Sequence, residues 1–199
     1  MTATASPFGL RPIGRLDSGS LEIMRQYPIA SAYGTAIAAG DVVKFVDNGT
    51  TTTIAKEDGT GDTSTELNIA GIFMGVSYTD PNTSQKTFST LYPASTTASD
   101  IMAYVVDDPN VLFTIQADGE PTNTGDVYMK NFALVQTAPN TSLKISRVAL
   151  DISSQNTDPQ LPIRVVDYLG GDAGDEKGTA FPVMVCKFNY HQHTTTTGV

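Results

Sequence analysis

The residues best suited to chemistry are few. They are His191 and His193, the lone Cys186, the acid pairs Asp107-Asp108 and Asp175-Glu176, and Ser77 within GVSYT. Both histidines lie next to a threonine-rich C-terminus, so a Ser-His or Cys-His mechanism would need that tail to fold back onto the body. His-x-His spacing can ligate a metal, but the tail offers neither a cysteine nor a carboxylate to complete a set. Ser77 lacks the second glycine of a nucleophile elbow. Adjacent acids on a strand point to opposite faces, so Asp107 and Asp108, followed by Pro109, suit a turn better than a shared acid–base pair. Clustered oxygens in GGDAGDEKG (170–178) and KEDGTGD (56–62) invite a calcium reading, yet neither has the spaced acids and closing glutamate of an EF-hand. Phosphate-binding and dinucleotide fingerprints are missing. The expectation is a chain without enzymatic activity, cofactor or metal.

Composition narrows the remaining classes. The formal net charge is −9, with 12 Lys+Arg against 21 Asp+Glu, which repels phosphate backbones and argues against nucleic-acid binding. No apolar run reaches the roughly 18 residues of a membrane span. Met1 to Ser6 carry no charge and no apolar stretch, unlike a secretory leader, so the chain is expected to start near Met1. A single cysteine excludes an intrachain disulfide and fits assembly in a cytosol. The sequons at Asn48, Asn82 and Asn140 are then chance matches.

The elements that must position these residues are strands. Twenty-seven threonines favour extended structure, and no long amphipathic helix is present. Short apolar runs recur between turn signals: 41–49 ending in Asn-Gly, 69–81, 100–119 around Asp107-Asp108-Pro109-Asn110, 143–153, 161–170 and 181–191. Residues 126–137 fit either a strand or a short helix. About eight strands suggest one all-β domain, a β-sandwich or β-barrel-like unit. Residues 49–66 and 170–178 are expected to be loops, the first with room for a poorly ordered hairpin. Tyr78, Phe88, Tyr92, Tyr104 and Phe113 could form a stacking platform for sugars, but aromatics at strand spacing are more often core.

The start of the chain stands apart. SPFGLRPIGRLDSGS (6–20) has no periodicity, two prolines and three glycines, yet carries large apolar residues. It is expected to act as an extended binding arm spanning residues 1–25, ahead of a β domain (26–190) and a flexible tail (191–199). Pro7 and Pro12 would pre-order it, Phe8, Leu10 and Ile13 would fill apolar pockets on a partner, and Arg11 and Arg15 would meet carboxylates. Fully extended, about twenty residues reach roughly 60–70 Å, enough to cross onto a neighbouring subunit. The bland alternative is a wrap over the protein's own domain.

Several blocks carry a resemblance. SPFGLRPIGRLDSGS, RQYPIAS (25–31), GDVVKF (40–45), GIFMGVSYTDP (71–81), AYVVDDPNVLFTIQADG (103–119), LPIRVVDY (161–168) and VCKFNYHQH (185–193) follow one another in consistent order across nearly the whole chain. Together they resemble the head decoration (cement) proteins of tailed bacteriophages, in particular a group found in phages of aquatic bacteria. The resemblance implies a β-rich structural protein on the outer surface of an icosahedral capsid, assembled in the host cytoplasm. Its partners would be the major capsid protein and further copies of itself, clustered as a trimer or otherwise, holding capsomers against the pressure of packaged DNA. No catalytic residue carries over. The competing expectation is another virion surface β-module, a head–tail or fibre component that binds glycan or receptor; the chain lacks the repeats usual in fibres.

Overall fold

Asn48-Gly49 does what the hairpin signal predicts. It joins β4 (Val42–Asp47) to β5 (Thr52–Lys56), with the Asn48 side chain accepting from the Thr50 and Thr51 amides and Gly49 at φ +80°. In the computed structural model, which describes residues 4–17, 19, 24–61, 66–121, 127–169, 178–195 and 198, β5 is a buried strand. The expected loop at 49–66 is therefore corrected over 52–56. Ile54 is core, and threonine and lysine disguised the strand because their polarity is neutralised inside the fold. Residues 62–65 and 170–177, which hold parts of the two expected loops, lie outside the described residues.

All strand pairs are antiparallel, and no helix occurs among the described residues. The first sheet runs β1 (Arg11–Arg15), β10 (Val111–Gln116), β14 (Val183–Phe188), β13 (Ile163–Tyr168), β11 (Asn131–Val135), β12 (Ala149–Asn156). It curls until the end of β10 meets β12 through an Ala117–Leu150 bridge, with the Asp118 amide donating to the Leu150 carbonyl at 2.9 Å. The second sheet runs β2 (Met24–Pro28), β9 (Met102–Val106), β6 (Gly71–Thr79), β4, β5, and β7 (Lys86–Ser89) branches from β6. A small pair, β3 (Ile37–Ala38) and β8 (Leu91–Tyr92), sits apart. Residues 126–137, open between helix and strand by pattern, supply β11.

Side-chain alternation divides the apolar residues between two cores. Val111, Phe113 and Ile115 of β10 face Met184, Cys186 and Phe188 of β14, and Val42, Ile72 and Val106 of the second sheet close that core. On the other face of the second sheet, Val43, Phe73, Ala103 and Val105 pack under Ile37, Tyr92 and Ile101. Strand β6 thus sends Ile72 one way and Phe73 the other, and its near-continuous apolar run follows from burial on both faces. Asp107 to Asn110 form a corner and not a hairpin: β9 and β10, adjacent in sequence, belong to different sheets. Asp108 closes the corner by accepting from the Asn110 amide at 2.9 Å.

Both chain ends depart from expectation. Residues 11–15 and 24–28 are edge strands of the two sheets, and Leu10 is fully buried. At the other end His191 is 1% exposed and the Gln192 amide donates to the Ile69 carbonyl, so the segment from 191 to 195 is packed where a flexible tail was expected. Prolines, glycines and repeated threonines at the two ends hid pairing that depends on strands far away in sequence.

One buried charge ties these pieces together. Asp41, with no exposed surface, forms an ion pair with Lys56 at 3.2 Å and accepts from the Ala38 amide at 2.9 Å and the Ser146 hydroxyl at 2.6 Å. Removing only the acid strands a buried ammonium, which costs about 3–5 kcal/mol. Urea unfolding should show Asp41→Asn destabilised by that amount. The double variant Asp41→Asn with Lys56→Met should recover much of the loss.

Candidate functional site

The N-terminal segment is built onto the protein's own surface. The Ser6 amide donates to Gln116 Oε1 at 2.8 Å, while Gln116 Nε2 donates back to the Thr4 carbonyl at 3.3 Å. The Gly9 amide reaches the Val148 carbonyl at 3.2 Å, and the Leu10 amide the Gly40 carbonyl at 2.9 Å. Gly9 sits at φ +76°, and a Cβ there would lie 2.5 Å from Ser146 and 2.6 Å from the Gly40 carbonyl oxygen. The glycine that breaks the sequence pattern is what lets the segment close onto the body.

Of the seven residues singled out for binding, the structure uses two internally. Leu10, expected to fill a pocket on a partner, fills the protein's own core because Gly9 turns it inward. Arg15, expected to meet partner carboxylates, pairs with Asp17 at 2.7 Å and Asp108 at 2.8 Å. These acids hold its guanidinium protonated, and the pairing holds the Asp17 carboxyl below its ordinary value. Arg11 and Ile13 are exposed, and Pro7, Phe8 and Pro12 are half-buried. A bulge between Pro12 and Gly14 leaves Ile13 out of register and 48% exposed, and Leu16 beyond it is 55% exposed. Strand β1 ends its sheet, so its outer edge has no strand partner among the described residues.

Behind β1 lies a groove of about 410 Å³ whose walls include Phe8, Pro12, Met74, Leu143 and Ile145. The Arg11 guanidinium stands 4.1 Å over the Phe8 ring. Thr90 also borders a second hollow formed by Gly75, Val76, Tyr104 and Phe88. Of the five aromatics weighed as a platform, Tyr78, Tyr92 and Phe113 are core, Tyr104 is half-buried, and Phe88 is 70% exposed. Met74 and Leu143 were not singled out by the sequence, because each lies within an apolar run that reads as strand core.

The adjacent acids Asp107 and Asp108 each hold an arginine of the N-terminal region. Asp108 takes Arg15 of β1, and Asp107, 2% exposed, takes Arg25 of β2 at 3.0 Å. One oxygen of Asp107 also accepts from the Tyr27 hydroxyl at 2.5 Å and contacts His193 Nε2 at 3.0 Å. Burial favours the neutral acid, but these donors outweigh it and the pKa is lowered. The tail therefore does fold back as a histidine mechanism requires, and it sets His193 against Asp107 and the Phe45 and His191 rings, with the Tyr27 hydroxyl on the same Asp107 oxygen. Cys186 is fully buried, which pushes its thiol well up. Among the described residues no three His, Cys, Asp or Glu side chains gather around a metal position. The region presents apolar side chains and charged groups at its surface.

Compared with known proteins, the chain matches no family model, no curated relative and no solved structure.

Two outcomes follow from this geometry. Gly9→Ala should cost about 1–3 kcal/mol and speed hydrogen exchange at the Leu10 amide, since the new Cβ forces the segment off Ser146. Burial pulls the His191 pKa down to about 4, with the nearby His193 second. Between roughly pH 6.5 and 4 the unfolded chain binds a proton that the folded one refuses, so stability falls as pH falls, by on the order of 2–3 kcal/mol. Urea unfolding at about pH 4.5 and about pH 7.5 should show this difference, and His191→Phe should flatten it.

Proposed function

We propose that this chain is a structural, non-enzymatic virion protein that binds the outer surface of an icosahedral phage capsid and cements neighbouring capsomers. The observation that carries this reading is the edge of β1. Ile13 on the strand and Leu16 just past its end stand exposed there, and the strand is held by Leu10 in the core and by the Arg15–Asp108 pair. A free strand edge offers main-chain groups to a partner, and exposed apolar side chains beside it supply register. Because the segment is already ordered on its own domain, docking loses less entropy than folding a loose arm would.

The resemblance of the sequence blocks to head decoration proteins supplies the partner, the major capsid protein. A lattice supplies avidity, so each contact can be modest. Copies of the chain would cluster, as a trimer or otherwise, where capsomers meet. Reach across subunits then comes from where the domain sits, not from an arm of 60–70 Å.

Purified protein should co-sediment with expanded capsids and give density on the outer lattice by cryo-microscopy. Ile13→Asp with Leu16→Asp should weaken co-sedimentation about tenfold or more while leaving the thermal midpoint in solution unchanged. Full binding by that variant, or density confined to the tail, would refute the proposal.

A further inference from the structure

The groove behind β1 differs from the edge just described in its charge. Arg11 and Lys144 both border it, and neither has an acidic partner among the described residues. In a chain with 21 acidic against 12 basic residues, two unpaired cations flanking one apolar hollow form a local reversal of sign. The rim is also costly to build. Lys144 holds φ +57°, a left-handed conformation that a residue with a Cβ adopts at a cost. The turn carrying it is fastened by reciprocal amide–carbonyl bonds between Asn140 and Ile145, at 2.9 and 3.2 Å, and by the Asn140 side chain accepting from the Leu143 amide at 3.0 Å. That turn holds Leu143 67% exposed beside the groove. A rigid rim, an apolar floor and two flanking cations make a preorganised site.

We infer that this groove seats an extended segment of a partner protein in which a carboxylate side chain lies next to a large apolar one. The apolar side chain enters between Phe8, Pro12, Met74 and Leu143, and the carboxylate lies between Arg11 and Lys144. Arginine already stacked on a ring presents its fork with little further ordering, which suits a carboxylate. Naming the capsid as the source of that segment rests on the function proposed above; the chemistry of the groove does not.

The test uses two acetylated, amidated hexapeptides, one with two leucine–glutamate pairs and one with leucine–lysine pairs, titrated into the full chain by NMR. The glutamate peptide should bind about fivefold tighter, the scale of an exposed ion pair, and shift the Leu143, Lys144, Met74 and Thr90 amides. Arg11→Glu with Lys144→Glu, both on exposed side chains, should keep the fold and reverse the preference. Equal binding of the two peptides, shifts elsewhere, or no shifts at several millimolar peptide would overturn the inference. A dimer in sedimentation that Leu143→Asp abolishes would overturn it too, by making a second copy the occupant. If the peptides discriminate but capsids do not co-sediment, the groove assignment stands and the capsid reading fails.

Discussion

The buried Asp41–Lys56 pair is the constraint on which the rest of the structure depends. A carboxylate with no exposed surface needs its charge met by buried donors, and here they come from three parts of the chain. The Ala38 amide belongs to the small β3–β8 pair, Lys56 to the edge of the second sheet, and Ser146 to the turn region ahead of β12. Ser146 in turn faces Gly9, and Gly40, next to Asp41, accepts from Leu10. Satisfying one charge therefore sets the mutual position of both sheets, the N-terminal segment and the 140–146 turn. Apolar contacts supply most of the cohesion, but they are non-directional, whereas this pair specifies one arrangement.

The N-terminal region is positioned from two sides. Gly9 and Gly40 allow close backbone approach at its start, and the acidic corner at Asp107-Asp108 holds an arginine from each of its strands further on. The corner can do both because it crosses between the sheets, so neighbouring carboxylates diverge toward different edge strands. Packing of the His191 ring and the His193 contact bring the C-terminal segment to the same corner. Both chain ends thus converge on the sheet crossing. The exposed apolar groups Ile13, Leu16 and Leu143 are displayed on a frame already paid for by internal pairing.

Much of the local structure was legible in the sequence because it depends on neighbours along the chain. Alternation in DVVKFVDNG and the Asn-Gly turn specify β4 and its reversal, and Asp-Pro-Asn specifies the corner at 107–110. Strand β5 was obscured because its Thr52, Thr53 and Lys56 look like loop residues, and the counter-charge that lets Lys56 be buried comes from Asp41, just ahead of β4. Strands β1 and β2 were obscured for a related reason: each is an edge strand whose partner strand among the described residues lies some 80 to 100 residues away, as Arg25 opposite Val105 and Arg11 opposite Thr114 show. Of the candidate binding residues, Arg11 and Ile13 are exposed, whereas the expected partner contacts of Leu10 and Arg15 are made within the protein itself. The Gly9 dihedral turns Leu10 inward, and the distant Asp108 draws Arg15 onto its own domain.

Sequence by itself determined an all-β chain with its main turns. Period-two patterning and turn chemistry are local and act on any strand, wherever its partner lies. Tertiary structure alone decided which sheet each strand joined and which apolar side chains stayed outside. It also brought Phe8, Arg11, Met74 and Lys144 around one groove. Those outcomes depend on long-range pairing and on the burial of a single charge, and neither leaves a periodic trace along the chain.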